Sequence, residues 1–345
     1  MQSTKPAPST APRKDTIALW GGIAFSLVFT AIIYFAGQTL DHTGFITSTD
    51  PSWYFWRLPN PTLWSHLTAW GFYAAHQVTL WGLIYYAQTR VNKYTTGLHK
   101  VNLVALGANA FFILLHFVQT HIWYDGLAQD VSVWSSQVSV VILLVWVLLM
   151  ENKRRGLFMG KKLPIGKQII DFARKYHGYY FAWAIVYTFW YHPMENTVGH
   201  LAGFFYMFLL LLQGSLFFTR IHQNRWWTFV NEVTVLAHGT LVALYQGLNL
   251  WPMFLFGFAG MLVITQMHGL RLPTWVKWLI LAVYAGGVVL VYSGRLGKLY
   301  ELISIPLIEY ASVLVLTLLF WAGLRLARIF QKPEHGNLLA GTPDQ

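Results

Sequence analysis

The chain has 345 residues and a net charge of +11, yet only 11% of its residues are charged and 55% are hydrophobic. Soluble domains usually contain about 25% charged residues, so an ordinary soluble domain is excluded, and basic residues placed in loops give no reason to expect a nucleic-acid partner. The absence of cysteine excludes disulfides, thiolate metal sites and cysteine nucleophiles.

Ten apolar runs predict an all-α, polytopic transmembrane helical bundle of about ten spans, preceded by a cytoplasmic tail over residues 1–16. Most runs are long enough to cross about 30 Å of hydrocarbon as a helix, in which the backbone N–H and C=O groups pair with one another. The runs within the transmembrane domain, 17–330, are 17–37, 67–87, 101–121, 133–150, 179–191, 197–218, 226–246, 253–267, 275–291 and 305–327. A disordered cytoplasmic tail is predicted over 331–345.

The distribution of lysine and arginine predicts which side of the membrane each loop faces. With ten spans, both termini lie on one side of the membrane and every second loop lies on the other. The loops on that opposite side contain only three Lys or Arg residues: Arg57, Arg295 and Lys298. Because Lys and Arg favour the cytoplasmic side, we expect both termini in the cytoplasm and the chain in the plasma membrane, which is the inner membrane in a bacterium. The loop 38–66 is then an outer cap, and the basic inner loop 151–175 is expected to contact anionic lipids of the cytoplasmic face.

Polar residues inside the predicted spans form stripes, and each costs free energy unless it meets a partner or a cavity. His76 lies in the second span. Two other spans carry polar residues seven positions apart, which is close to two helical turns: Asn102, Asn109 and His116 in the third, and Asn231, His238 and Tyr245 in the seventh. The shared spacing suggests an internal repeat, of the kind from which many transporters are built.

Further histidines lie at the predicted outer ends of the spans. His121 closes the third span, and Pro193 is expected to end the fifth helix beside His192, with Glu195 and His200 following. Histidine is the commonest metal ligand, and no thiolate competes with it in this chain. The predicted ligands are His116, His121, His192, His200 and His238, with Glu195 and His76 as the catalytic groups.

These residues predict a multi-pass membrane metalloenzyme that works from an outward-facing cavity. Many imidazoles with few carboxylates suit iron best, with copper or zinc as alternatives. We therefore expect an iron- or copper-dependent oxidoreductase that acts on a lipidic or small hydrophobic substrate, with an undefined redox partner. Compact histidine motifs of the His-x-x-His-His type are absent from the sequence, so the pattern does not single out one family.

Other functions are compatible with the same residues. A transporter or channel would use the His, Asn and Thr stripes as a polar pathway. A haem b electron carrier would use His177 and His192, which are fifteen residues apart on one predicted helix. A zinc-dependent membrane hydrolase would use Glu195 as the general base beside a metal-bound water.

Overall fold

The structure, a computed structural model, describes residues 13–42, 44–47, 50 and 52–330. Ten α-helices make up most of this part of the chain: α1 (Lys14–Ala36), α2 (Leu63–Arg90), α3 (Lys100–Trp123), α4 (Val133–Arg155), α5 (Lys167–Tyr191), α6 (Val198–Ser215), α7 (Arg225–Tyr245), α8 (Trp251–Ile264), α9 (Thr274–Tyr292) and α10 (Glu301–Phe330). Two strands of two residues each, β1 (Ile46–Thr47) and β2 (Trp56–Arg57), pair antiparallel. The predicted all-helical class is confirmed.

Within the described part of the chain, six helices are long and apolar enough to cross a membrane: α1, α3, α4, α6, α9 and α10. The outermost of them expose large apolar side chains, such as Val283 at 68% and Leu290 at 80%. Contiguous apolar surface of this kind is stable against lipid and not against water. The chain is therefore a membrane protein. The helix α8 is also apolar but has only 14 residues.

The helix α5 lies at the centre of the bundle. It contacts α2, α4 and α6, while α3 packs on α2 and α6, and α1 packs on α6. Its last three residues, Phe189, Trp190 and Tyr191, are completely buried. The helices α7 to α10 continue the bundle, with α8 between α7, α9 and α10, and with α10 against α4.

Several helix boundaries follow from local chemistry. The hydroxyls of Thr62 and Thr197 accept backbone N–H groups at the starts of α2 and α6, as N-caps do. Pro193 follows the end of α5, as expected. Helical residues extend further into two predicted loops: the outer cap ends at Thr62, before α2, and the basic connection between α4 and α5 is limited to 156–166.

Following the predicted sidedness, we call one end of the bundle the inner end, with the connections 91–99, 156–166, 216–224 and 265–273. We call the other the outer end, which includes the described residues of 37–62 and the connections 124–132 and 192–197. At the inner end, Asp15 accepts hydrogen bonds from the Arg13 guanidinium at 2.7 Å and from the Ile221 amide at 3.1 Å. Its own amide donates to the Thr96 carbonyl. Asp15 therefore ties the start of α1 to one connection through its carboxylate and to a second through its amide.

The suggested repeat has no counterpart in these contacts. Asn102 donates from Nδ2 to the carbonyls of Ser215 and Phe217, and so links α3 to the end of α6. Asn231, at the corresponding place in α7, donates to the Trp227 carbonyl of its own helix. Asn102 and Asn231 therefore make different kinds of contact, one between helices and one within a helix, and the repeat stays a prediction.

Candidate functional site at the outer end of the bundle

His76 is a buried connector between three helices. The Trp190 indole donates from Nε1 to Nδ1 of His76 at 3.2 Å, and Nε2 of His76 lies 2.8 Å from Oδ1 of Asn109. Asn109 then donates to the Ser215 hydroxyl at 2.8 Å. Both ring nitrogens are engaged, and the imidazole stacks on Phe112. This arrangement fits an interhelical hydrogen-bond partner better than the catalytic group that the sequence predicts.

His116 and Thr120 hold the turn between α5 and α6 against α3. Nε2 of His116 lies 2.8 Å from the His192 carbonyl oxygen, and its Nδ1 lies 3.2 Å from the Gln119 side chain. One turn further along α3, the Thr120 hydroxyl accepts the Met194 amide at 3.0 Å. Both ring nitrogens of His116 are engaged in these contacts, so we infer that His116 positions the turn between α5 and α6.

His121 and His238 each bond to a nearby backbone. Nδ1 of His121 lies 2.8 Å from the Phe117 carbonyl of its own helix, and its buried Nε2 has no partner in the described part of the chain. His238 bonds to the backbone of Gly199 across the α6–α7 contact. A Cβ at Gly203 would lie 3.0 Å from Nε2 of His238, so the glycine makes room for this ring.

The structure brings four of the five predicted histidines near one another. His192 and His200 have ring centroids 5.5 Å apart, and His116 and His238 are close enough to act on the charge of His192. Among the residues that the structure describes, no group of three or more His, Asp or Glu side chains is arranged to hold a metal ion. The expected iron, copper or zinc therefore stays a prediction, for which the described residues show no set of three ligands.

The structure instead assembles a cluster around Glu195, which is completely buried. Its Oε1 lies 2.7 Å from Nε2 of His42 and accepts a hydrogen bond from the Tyr124 hydroxyl. His42 comes from the outer cap, Tyr124 directly follows α3, and Glu195 lies between α5 and α6. The carboxylate therefore joins three segments that are far apart in sequence.

Hydrogen bonds continue from this carboxylate to α6. The Tyr124 hydroxyl lies beside the Tyr54 hydroxyl, which lies 2.9 Å from Nε2 of His200. Nδ1 of His200 lies 2.7 Å from the Thr197 hydroxyl. We call this series of side chains the Glu195 chain: His42, Glu195, Tyr124, Tyr54, His200 and Thr197.

One placement of hydrogens satisfies every link of the Glu195 chain with both imidazoles neutral. Thr197 donates to His200, His200 to Tyr54, Tyr54 to Tyr124, and Tyr124 and His42 donate to Glu195. Burial and the Glu195 charge raise the pKa of Tyr54, which keeps its proton. In this placement every donor points toward Glu195, so a proton leaves the carboxylate along the chain only after the hydroxyls of Tyr124 and Tyr54 rotate.

Two buried atoms of the 192–195 turn have no hydrogen-bond partner among the described residues: Nδ1 of His192 and Oε2 of Glu195. Buried polar atoms without partners are uncommon because they lose hydration without compensation. The pKa of His192 lies well below its ordinary value, through burial and then through the nearby imidazoles of His200, His238 and His116. A neutral ring leaves one nitrogen lone pair for a ligand.

A narrow crevice reaches the cluster from the α3–α4 connection. It is too tight to hold a water molecule and is lined by Tyr54, Tyr124, Asp125, Gly126, Ala128, Gln129 and Pro193. Gly126 allows the close approach of this connection to α5, because a Cβ there would lie 2.6 Å from the Tyr191 carbonyl oxygen.

Sequence reasoning did not select His42, Tyr54 or Tyr124 as site residues. Histidine and aromatic residues in outer loops are also typical of the membrane interface, so no local signal separates the two roles. No protein-family model, curated protein or solved structure matches the chain. The fold and the site define a helical membrane protein with a buried carboxylate, imidazole and tyrosine cluster at one end.

Proposed function

We propose that the chain is a membrane enzyme that carries out general acid–base catalysis at the outer end of the bundle, with Glu195 as the base. The observation that carries the proposal is the pair of buried, unpartnered atoms, Oε2 of Glu195 and Nδ1 of His192, on one short turn. His116 and Thr120 fix that turn from α3, so the two atoms are held in place before any substrate binds.

The expected reaction activates a hydroxyl group or a water molecule as the nucleophile of a transfer or hydrolysis. Oε2 of Glu195 takes the proton, while His42 and Tyr124 hold Oε1 and stabilise the carboxylate. The proton moves on when Tyr124 and Tyr54 shift their hydrogens. The neutral Nδ1 of His192 accepts a second hydrogen bond from the substrate and orients it.

A lipidic or small hydrophobic substrate fits the location of this site. The cluster lies at the ends of α3, α5 and α6, where the polar group of an amphiphile meets the protein while its apolar part stays in the bilayer. The oxidoreductase expected from the histidines needs a metal, and the described residues offer no ligand set for one. The experiment described next therefore also asks whether the activity depends on a metal.

The test compares wild-type protein with Glu195→Gln in vesicles made from lipids of the host membrane, with untargeted mass spectrometry of lipids over time. We expect wild type to convert a lipid species and Glu195→Gln to slow the conversion by at least about 100-fold. Glu301→Gln is the matched control, because Glu301 is also buried but bonds to Tyr292 and Arg295.

Three results would overturn the proposal. The first is a wild-type rate in Glu195→Gln, and the second is the absence of any lipid conversion by wild type, which would favour transport. The third is loss of activity on chelation with stoichiometric metal in the purified protein, which would restore the metalloenzyme prediction.

We also infer that all ten helices cross the plasma membrane with both ends in the cytoplasm. The support is the alternation of the ten helices together with the basic residues of the inner end, which suit anionic lipids of the cytoplasmic face. Reporter fusions at Lys161 and Arg225 are expected to report the cytoplasm. Fusions at Asp130, Glu195 and Lys298 are expected to report the outside, and two or more reversed sites would refute this topology.

A further inference from the structure

Asp125 is a buried carboxylate outside the Glu195 chain, and its side chain is only 2% exposed. Oδ1 accepts the Gly126 amide at 2.7 Å. Oδ2 is buried and has no hydrogen-bond partner in the described ranges. The imidazole of His66 lies close to Oδ2, with Nδ1 3.9 Å away.

His66 connects this carboxylate to the surface. Its Nδ1 lies 2.9 Å from Oδ2 of Asp130, which also accepts the Trp70 indole N–H at 2.8 Å. The side chains of His66 and Asp130 are each 34% exposed. The imidazole therefore contacts water on one side and lies between two carboxylates on the other.

The opposite side of Asp125 lines the narrow crevice, together with Tyr54 and Tyr124 of the Glu195 chain. Asp125 thus lies between a surface imidazole and the buried hydroxyls that lead to Glu195. This placement explains why one of its oxygens has no fixed partner, because a group that passes a proton must be able to bond on either side.

We propose that Asp125 and His66 form the port through which the Glu195 chain exchanges protons with the water outside. The inference rests on the proposed function, for which a base must release its proton after each turnover. The burial of Asp125 raises its pKa to about 7, so the carboxyl gains and loses a proton near neutrality.

Each step of the transfer conserves protons. For release, the O–H bond of the protonated Glu195 carboxyl breaks as an O–H bond forms at Tyr124, whose own hydrogen passes to Oδ2 of the ionised Asp125 carboxylate, directly or through Tyr54. The Oδ2–H bond of Asp125 then breaks as an N–H bond forms at Nδ1 of His66, and the exposed imidazole gives its Nε2 proton to water. The 3.9 Å gap to His66 closes by a side-chain rotation of about 1 Å or through one bridging water molecule.

The port is tested without any substrate, so its failure is distinct from failure of the proposed function. Protein labelled with ¹³C at Cζ of tyrosine is moved into deuterated buffer, and the isotope shift at Cζ reports hydroxyl exchange. Tyr54→Phe and Tyr124→Phe assign the two signals. We expect Asp125→Asn to slow exchange at both hydroxyls by at least about tenfold.

His66→Phe should slow exchange similarly, and it keeps the test valid should Asp125→Asn fail to fold. Asp171→Asn, an exposed carboxylate at the start of α5, is the matched control and should leave the exchange rates unchanged. Backbone amide exchange should stay at its wild-type rate in each variant, which a loosened fold would not allow. Unchanged or faster hydroxyl exchange in both port variants would overturn the proposal.

Discussion

The buried side chains of His76 and Asn109, in the middle of the bundle, are more completely paired than those of Glu195 and His192 at its outer end. In the middle, His76 uses both nitrogens and Asn109 bonds to it and to Ser215. At the outer end, Glu195 and His192 each keep one buried atom without a partner among the described residues. Both regions contain buried histidine, so residue type alone does not reveal function.

This difference separates structural from functional polarity. A paired imidazole in the membrane joins helices, and it contributes to stability through the hydrogen bonds that it makes. An unpaired acceptor costs free energy in the resting protein, and such a cost persists where the atom serves a ligand or a reaction. For these residues we assign stability to the middle network and chemistry to the outer end, although Gln77 and Thr188 also keep buried polar atoms without partners among the described residues.

The strongest expected effect on stability is in the middle network. His76→Leu leaves the Trp190 indole N–H and the Asn109 carbonyl without partners in a buried, apolar region. We expect a loss of about 3 kcal/mol in the free energy of unfolding, measured by denaturant titration in mixed micelles. Val78→Ala, on the lipid-facing side of the same helix, is the control. If both variants lost the same unfolding free energy, the hydrogen bonds of His76 would not be what stabilises the bundle.

Asp125 should make stability depend on pH. Its folded pKa is raised from 3.8 to about 7, chiefly by burial, so its favourable contribution is complete below pH 4 and is lost as the pH rises through 7. Asp125→Asn mimics the protonated form and should stabilise the protein by about 2 kcal/mol at pH 8, with little change at pH 4. Thermal unfolding at both values measures this, and a destabilised variant at pH 8 would contradict the assignment.

Gly126 tests how tightly the outer end is built. Gly126→Ala places a Cβ against the Tyr191 carbonyl oxygen, so the backbone must shift, at a cost of about 1–2 kcal/mol in unfolding free energy. The shift should also move Tyr124 away from Glu195 and slow turnover. Gly107→Ala, where a Cβ meets nothing within 4 Å, is the matched control. Similar unfolding midpoints for the two variants would show that the α3–α4 connection can accommodate a Cβ at position 126.

The sequence predicted those parts of the fold that depend on local chemistry. Apolar runs located the helices, and Pro193 marked the end of α5. The start of α5 was missed, because Lys167, Asp171 and Arg174 make the first turns resemble a basic loop. Helical structure there follows from packing of the opposite face, where Ile170 and Ala173 are buried.

The site was only partly predictable for a different reason. Glu195, His192 and His200 were selected, but their partners His42 and Tyr54 lie 153 and 146 positions away from the residues they contact. Such contacts arise from the packing of the outer cap over the bundle. Whether a histidine such as His76 or His192 keeps an unpaired nitrogen also depends on tertiary partners, which spacing along one helix does not specify.

The most direct test measures activity and unfolding free energy together in His76→Leu and Glu195→Gln. We expect opposite patterns: His76→Leu loses about 3 kcal/mol of stability but keeps its activity per folded molecule, whereas Glu195→Gln loses at least about 100-fold in activity and stays within about 1 kcal/mol of wild type. Full activity in Glu195→Gln, or an inactive but folded His76→Leu protein, would contradict this expectation.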